Sequence, residues 1–391
     1  MGRSDESKKA SARNGMDVRT AVVTGASGFI GARVVQRLLE RGVRVFALGR
    51  AKDGVSWPVR LTAALDDIRG IPVDRRLLTD LHAVEAILDQ GALRWEALES
   101  AAAGSVVLYH LAGDTRFTPV ATPSQRAVNV DAGPGMIEPL GDALARVIHV
   151  STAYVAGARE GLVLESEFDV GQSFRNGYES TKLAGELRMR ATCAARGLPL
   201  VIARPSIVIN DTATGRSSAF THLNALVEIV RRLQGHFELP FGETVSDRVR
   251  TPLRPDGRPN MIPVDVVVET LLAIADAPEA PSRAYHICHP RPPALHEVIA
   301  LLLQALAIED RLRIEYAAEL DETATWTEKM IARAFKPYFA YLDARTVFDL
   351  ANTRSLLPAY DDWFPPLGTE YLERVVAVHR AAGWSREGAP A

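Results

Sequence analysis

The chain has 391 residues, 47% hydrophobic and 24% charged, with a formal net charge of −3 at pH 7. That composition excludes a collagen-like, coiled-coil or wholly disordered chain, and so small a net charge gives no general attraction to nucleic acid or anionic lipid. No apolar run approaches the roughly 20 residues that cross a bilayer, and two cysteines, Cys193 and Cys288, are too few for a disulfide framework.

Met1 to Arg19 is polar and lacks the apolar stretch of a secretory signal. Glu6 stands where a myristoylation signal after Gly2 needs Ser or Thr. Residues 1–18 therefore read as a flexible tail, and the sparse cysteines predict a cytoplasmic location.

Arg19 to Val23 is a short apolar run ending in Thr24-Gly25, a buried strand entering a turn. Ile30 to Glu40 sets Ile30, Val34 and Leu38 on one helical face beside Val35 and Leu39, and Gly42 stops it. Val43 to Leu48 is a second strand, so the chain opens with the strand–helix–strand unit of a parallel sheet. Leu61 to Ile68 predicts a helix, and Val84 to Leu88, Ser105 to Leu111 and Arg146 to Val150 predict further strands. Glu179 to Ala195 is a long helix, and Leu198 to Ala203 a sixth strand ended by Arg204-Pro205. Such alternation predicts an α/β fold with a doubly wound parallel sheet. Beyond Pro205 the pattern loosens. Residues 240–260 read as a loop, Val264 to Asp276 as a helix, Ala284 to Cys288 as a strand and Leu295 to Ala307 as a helix, followed by short elements. This half reads as a smaller, interleaved substrate-binding part.

Three motifs carry chemistry. Thr24-Gly25-Ala26-Ser27-Gly28-Phe29-Ile30-Gly31 spaces its glycines as GxxGxxG between a strand and an amphipathic helix. Glycines there permit the turn, the approach of a pyrophosphate and close helix packing, and amides at the helix start face the anion. At the end of the second strand, where an acid would favour NAD, stands Arg50, whose fork of donors suits a 2′-phosphate and points to NADP(H). In Tyr178-Glu179-Ser180-Thr181-Lys182 the tyrosine and lysine stand four apart on one helical face. An ammonium near a phenol favours the phenolate and lowers its pKa from about 10, so the pair could exchange a proton near neutral pH. Ser151-Thr152 follows the fifth strand, where ligands bind in open α/β sheets, and a hydroxyl there can hydrogen-bond a substrate oxygen.

Together these motifs resemble the extended short-chain dehydrogenase/reductases from about Arg19 to Ala275. The likeness rests on the glycine turn, His110-Leu111-Ala112-Gly113, Asn129-Val130, Ser151-Thr152, Tyr178 with Lys182, and Arg204-Pro205, all in the family's order. Within that superfamily the chain is most similar to the fatty acyl-CoA reductase and thioester reductase branch, also called male-sterility-type. Tyr109 to Phe117, His149 to Gly157, Gly161 to Glu165, Arg204 to Val208 and Ile262 to Asp265 carry that likeness. The chain departs from many fatty acyl-CoA reductases in lacking a clear counterpart of their extra C-terminal domain.

The resemblance implies a Rossmann-type NADP-binding domain over 19–205 and a mainly substrate-binding part over 206–391, with about 260–290 returning to the first. Tyr178 would protonate the substrate oxygen as hydride arrives, Lys182 would hold the nicotinamide ribose and depress the Tyr178 pKa, and Thr152, in preference to Ser151, would orient the carbonyl. Thr24, Gly25, Ser27, Gly28, Phe29, Ile30 and Gly31 would line the pyrophosphate. Arg50 and Asp89 would meet the adenosine, and Leu111, Ala112, Gly113 and Pro205 would complete the cofactor site. The implied reaction reduces an acyl thioester, or its aldehyde, to aldehyde or alcohol. A carrier-bound substrate would arrive on a separate protein, and a homodimer is compatible with the family. Ketone or hydroxysteroid-type oxidoreduction, nucleotide-sugar epimerisation or dehydration, and a non-catalytic dinucleotide sensor remain open alternatives.

Three weaker signals complete the reading. His286, Cys288 and His289 have ligand side chains, but no second cluster completes a four-ligand set, so no metal is expected. Arg248, Arg250, Arg254 and Arg258 could meet the phosphates of coenzyme A or phosphopantetheine. Trp326, Trp363, Phe335, Tyr338 and Tyr341 read as a C-terminal apolar cluster.

Overall fold

The first apolar run of the sequence becomes β1 (Thr20–Thr24), buried along its whole length as an interior strand of a seven-stranded sheet. The computed structural model describes residues 20–85, 105–218, 223–228, 248–277, 282–317, 319–336, 338–364 and 367–381. The other strands are β2 (Arg44–Gly49), β3 (Leu81–Glu85), β4 (Val106–His110), β5 (Leu144–Val150), β6 (Leu200–Pro205) and β7 (Ala284–Ile287). They lie in the order β7-β6-β5-β4-β1-β2-β3, every pair parallel. Val22 sits between Phe46 on one side and Leu108 on the other. The order reverses between β1 and β4, and the crevice above that switch point is where such sheets bind ligands.

Both faces are covered, which is why β1 and β4 read as unbroken apolar runs. On one face α1 (Phe29–Glu40) packs Val34, Val35, Leu38 and Leu39 into a cluster shared with Val267, Leu271 and Leu272 of α4 (Val264–Asp276). The helix predicted at Leu61 to Ile68 extends over Trp57–Arg69 as α2 and joins this cluster through Trp57, Leu61 and Leu65. On the other face α3 (Gly177–Ala195) buries Met189 and Cys193 against β4, β5 and β6. A separate core gathers around α5 (Leu295–Leu306) in the C-terminal half. The halves interleave: β7 and α4 belong to the sheet layers, and Asn352 and Thr353 hydrogen-bond the Ala284 and His286 carbonyls at the sheet edge.

Two expectations are corrected. The third strand is Leu81–Glu85, not Val84 to Leu88, and residues 86–88 lie outside the described ones. At this edge only Leu81 and Val84 are partly buried, so the apolar pattern is too thin to fix its register. The loop expected at 240–260 contains a strand, Arg248–Thr251, paired with Arg313–Tyr316. Two further short parallel pairs were not foreseen, Ile207–Ile209 with Met261–Pro263 and Gly161–Val163 with Thr346–Phe348. Strands of three or four residues carry too little alternation to be read from sequence.

Arg204 on β6 and Glu186 on α3 form an ion pair at 2.7 Å, with side chains 1% and 0% exposed. The Arg204 guanidinium also donates to the Glu167 carbonyl and lies over the Phe168 ring. Breaking a buried pair leaves an uncompensated charge. Glu186→Ala is therefore expected to lower unfolding free energy by about 3 kcal/mol, measured by urea denaturation. A loss below about 1 kcal/mol, the value of a surface pair, would contradict that role.

Candidate functional site

The glycine turn joins β1 to α1 at the switch point. Gly25 has φ +66°, and a Cβ there would lie 2.8 Å from the Ala112 nitrogen and Leu111 carbonyl carbon, so only glycine lets the turn touch the end of β4. A Cβ on Gly31 would stand 2.1 Å from the Gly25 oxygen. Thr24 is buried, and its Oγ1 accepts from the amides of Leu111 and Ala112 (both 3.1 Å) and bonds the His110 ring (2.9 Å). Ser27, Phe29 and Ile30 are partly exposed and Gly28 is exposed, so they line the mouth. Among the described residues no side chain caps α1, and its first turn holds no acid. Its leading amides are thus left for an anion, and the turn fits the pyrophosphate of a dinucleotide.

Across the crevice, α3 brings its tyrosine and lysine to the ends of β5 and β6. Lys182 is buried and donates to the Val150 carbonyl at 2.8 Å. That contact anchors α3 two residues before Thr152, and one helical turn back from Lys182 the Tyr178 hydroxyl hydrogen-bonds the Thr152 side chain. Thr152 also accepts from the Tyr154 amide at 3.2 Å and lies 3.4 Å from the Pro205 carbonyl. Ser151 is buried too, but its hydroxyl has no hydrogen-bond partner among the described residues. Gly113 is exposed beside the pair, and a Cβ on it would lie 3.9 Å from Lys182 Nζ.

One electrostatic expectation is reversed. Desolvation pushes the Tyr178 phenol up to about 12, so it stays protonated at neutral pH. The Lys182 ammonium bonds a backbone carbonyl, and burial lowers its own pKa to about 8. Behind it His110 and His149 stack at 5.3 Å. Burial, with Lys182 adding to it, holds His110 down at about 3 and His149 well below the ordinary range. A neutral pair thus lies next to the ammonium.

Sequence reasoning missed the groups that hold α3. Asn129 accepts from the Asp114 amide at 2.7 Å and donates to Thr181 at 2.9 Å, tying the loop after β4 to the helix. Glu179, fully buried, accepts from the Arg175 amide and from the Tyr341 hydroxyl (2.6 Å), while Asn176 caps the helix and donates to the same hydroxyl (2.7 Å). The Phe117 ring stacks on Tyr341 at 5.2 Å and lies 6.0 Å from Tyr178. Tyr341 thus brings the C-terminal half against the tyrosine. Asn129-Val130 was noted as part of the resemblance, but no spacing linked it to Thr181, nor Tyr341 to Glu179.

The remaining candidates scatter. Arg50 is exposed at the end of β2, and among the described residues no carboxylate pairs with it. Asp89 lies outside the described residues. Arg248 pairs with Glu315 at 3.2 Å, and Arg250 with Glu328 and Asp321 at 3.1 Å each, so these two arginines are already neutralised. The Arg254 amide bonds Asp343, and Arg258 opens onto a cleft. His286 bonds the Asp349 carbonyl, Cys288 sits 3.9 Å from the Arg204 carbonyl, and His289 accepts from the Arg291 amide. In the aromatic group Tyr341 is core and Tyr338 and Trp363 pack against it, whereas Trp326 is 69% exposed and lies outside it.

The family model described as "Male sterility protein" matches residues 23–271. The chain is 24% identical over 393 residues to the nonribosomal peptide synthetase FrzA of Cladobotryum sp, covering 92% of this chain and 36% of FrzA. It is also 24% identical over 309 residues to a carboxylic acid reductase of Mycobacterium marinum, covering 70% of this chain and 24% of that enzyme. The chain therefore spans about a quarter to a third of these relatives. The terminal R domain of the myxalamid PKS-NRPS biosynthetic pathway superposes with a TM-score of 0.74 at 19% identity, covering 95% of this chain and 93% of that one. That likeness shows the same fold. Among the described residues no helix is long and apolar enough to cross a membrane.

The buried ammonium makes a testable demand on stability. Below pH 8 the folded chain carries the full penalty of a charged Lys182, because the unfolded lysine titrates near 10.5 and the folded one near 8. Between those values the penalty fades as the folded lysine becomes neutral first. Relative to Lys182→Met, the parent is expected to gain thermal stability as pH rises from 8 towards 10, in a calorimetric series. A parent that loses stability relative to the variant over that range would contradict the burial cost.

Proposed function

The chain belongs to the male sterility protein family of NAD-binding domains, and from that premise we propose an NADPH-dependent reductase acting on the carbonyl of an acyl thioester, or of the aldehyde derived from it. It is a reductase of the extended short-chain dehydrogenase/reductase type. The observation that carries the finer reading is the meeting of the Tyr178 and Thr152 hydroxyls above β5, opposite a glycine turn open to a dinucleotide.

Bound at that turn, the reduced nicotinamide would supply the hydride. Thr152 would hold the substrate oxygen through its hydroxyl, and Tyr178, protonated up to about 12, would give its proton to that oxygen as negative charge develops. With a thioester the product of this step is a hemithioacetal, which collapses to aldehyde and thiol; a second round would give the alcohol. Lys182, beside exposed Gly113, would hold the nicotinamide ribose while its bond to Val150 keeps α3 seated. Arg50 would bind the 2′-phosphate that distinguishes NADPH, and Leu111, Ala112 and Pro205 would close the cofactor site. Similarity to a nonribosomal peptide synthetase supports a substrate presented as a carrier-bound thioester, with a coenzyme A thioester as the other source. Both cysteines are free thiols and buried, which suits the cytoplasm.

The test is incubation of the protein with NADPH and a panel of thioesters, aldehydes and ketones, with products identified by mass spectrometry. Net NADPH consumption with aldehyde or alcohol from a thioester is expected. Turnover of ketones alone, or recycling of the nicotinamide without net consumption, would overturn the thioester assignment. For the cofactor, Arg50→Ala is expected to raise KM for NADPH by about 10-fold and to leave KM for NADH unchanged. A preference for NADH that the substitution does not alter would contradict it.

A further inference from the structure

We infer that a cleft of about 550 Å³ behind α3, lined by Arg190 and Arg283 and by an apolar surface, binds an amphipathic anion: a phosphate or carboxylate head on a short hydrocarbon body. The inference is independent of the reductase reading and concerns a second ligand site.

The cleft lies away from the dinucleotide crevice. Leu200 and Ala284, which line it, are the first residues of β6 and β7, whereas the candidate site gathers at the carboxyl ends of the strands. On α3 the lining begins at Arg190, 12 residues after Tyr178 and so about 18 Å further along the helix axis.

Its walls are pinned. The Leu200 amide donates to Ser282 Oγ at 3.1 Å, and Asn352 donates to the Ala284 carbonyl at 3.0 Å. The buried Arg204 guanidinium donates to the Glu167 carbonyl at 2.9 Å, which holds the strip from Glu165 to Phe168 that forms another wall. A cleft fixed in this way needs little ordering when a ligand enters.

Its charge is one-sided. The Arg190 guanidinium lies over the Phe168 ring at 3.7 Å, a contact that orients the cation without using its hydrogen-bond donors. Arg283 donates to Asn352 Oδ1 at 3.3 Å, a neutral partner. Among the described residues no carboxylate pairs with either guanidinium. The acid in the lining, Glu165, is 1% exposed and already accepts from the His286 amide (2.8 Å), the Thr353 hydroxyl (2.9 Å) and the Asn352 amide, so it neutralises neither arginine. Ser282, whose oxygen accepts the Leu200 amide, keeps its hydroxyl proton to donate. Ala194, Leu198, Leu200 and Ile202 supply the apolar surface. Guanidinium forks bind phosphate and carboxylate oxygens in bidentate fashion. The apolar surface favours a ligand with a hydrocarbon body over a bare ion.

The cleft also touches the support of α3. The Phe168 ring that orients Arg190 lies 4.6 Å from the Arg204 guanidinium, whose carboxylate partner is Glu186 of α3. A ligand held by Arg190 would brace the helix that presents Tyr178 from its far side.

The test is calorimetric binding of hexyl phosphate and of hexanoate to the full chain with NADPH present. Inorganic phosphate and hexanol serve as the two halves of the ligand, and melting temperature is the second readout. The tighter-binding alkyl anion is expected to exceed either half by about 10-fold in affinity and to raise the melting temperature. Which alkyl anion it is names the head group. Arg190→Gln/Arg283→Gln is expected to remove the advantage of the alkyl anion over hexanol. Arg283→Gln alone, which removes only the 3.3 Å bond to Asn352, should reduce that advantage in a protein that melts like the parent without ligand. Leu198→Asp is expected to weaken the alkyl anions and leave inorganic phosphate unchanged. Alkyl anions that bind no better than their halves, or that bind the double variant as tightly as the parent, overturn the site.

Discussion

A buried lysine held by one strand-end carbonyl sets the geometry of the whole site. Lys182 Nζ on the Val150 oxygen fixes α3 against the tip of β5. Because Tyr178 stands one helical turn before the lysine and Thr152 two residues past the carbonyl, that single contact brings the two hydroxyls together. Burying an ammonium is expensive, and the lowered Lys182 pKa expresses that cost. The fold meets it by clamping the same helix at several further points. Glu186 binds Arg204 on β6, Thr181 binds Asn129 after β4, and Glu179 binds Tyr341 from the C-terminal half. Each clamp reaches α3 from a different element, so the helix that presents the tyrosine has little freedom to move away from the strand ends.

This arrangement divides labour between the halves of the chain. The sheet supplies a glycine turn, a strand-end threonine and a rigid helix, all at the carboxyl ends of parallel strands, where an open α/β sheet concentrates ligand sites. The C-terminal half contributes aromatic rings that reach Tyr178 through Phe117. The proposed reaction uses both. In it the sheet side would bind the dinucleotide and move the proton, and the C-terminal side would face the substrate. A protonated phenol suits that division, since reduction requires an acid at the substrate oxygen as the hydride arrives.

The parts of the site that were legible in the sequence are those set by local constraint. The glycine turn was readable because close backbone approach at Gly25 and Gly31 tolerates no Cβ. Tyr178 and Lys182 were readable because helical spacing places both on one face. The central strands were readable because burial on two faces leaves continuous apolar runs. What the sequence concealed depends on distance. Tyr341 and Glu179 are 162 positions apart, and nothing local in either marks the hydrogen bond between them. The third strand was displaced because an edge strand buries few side chains and so imposes no firm pattern. The phenol was expected to be acidic because the spacing shows that lysine and tyrosine are neighbours but not that the ammonium is turned to a backbone carbonyl while the hydroxyl is desolvated. The arginine-rich stretch misled in the same way, since charge in a sequence does not reveal which residues find carboxylates in the fold.

The account stands on proton donation by one phenol, and single-turnover hydride transfer in Tyr178→Phe tests it most directly. The protein would be mixed with NADPH and an acyl thioester, and loss of the reduced nicotinamide followed by rapid mixing, with NADPH affinity measured separately. The account predicts unchanged NADPH affinity and a hydride-transfer rate about 1,000-fold lower. Hydride transfer at the parent rate, in a variant that still binds NADPH, would contradict it.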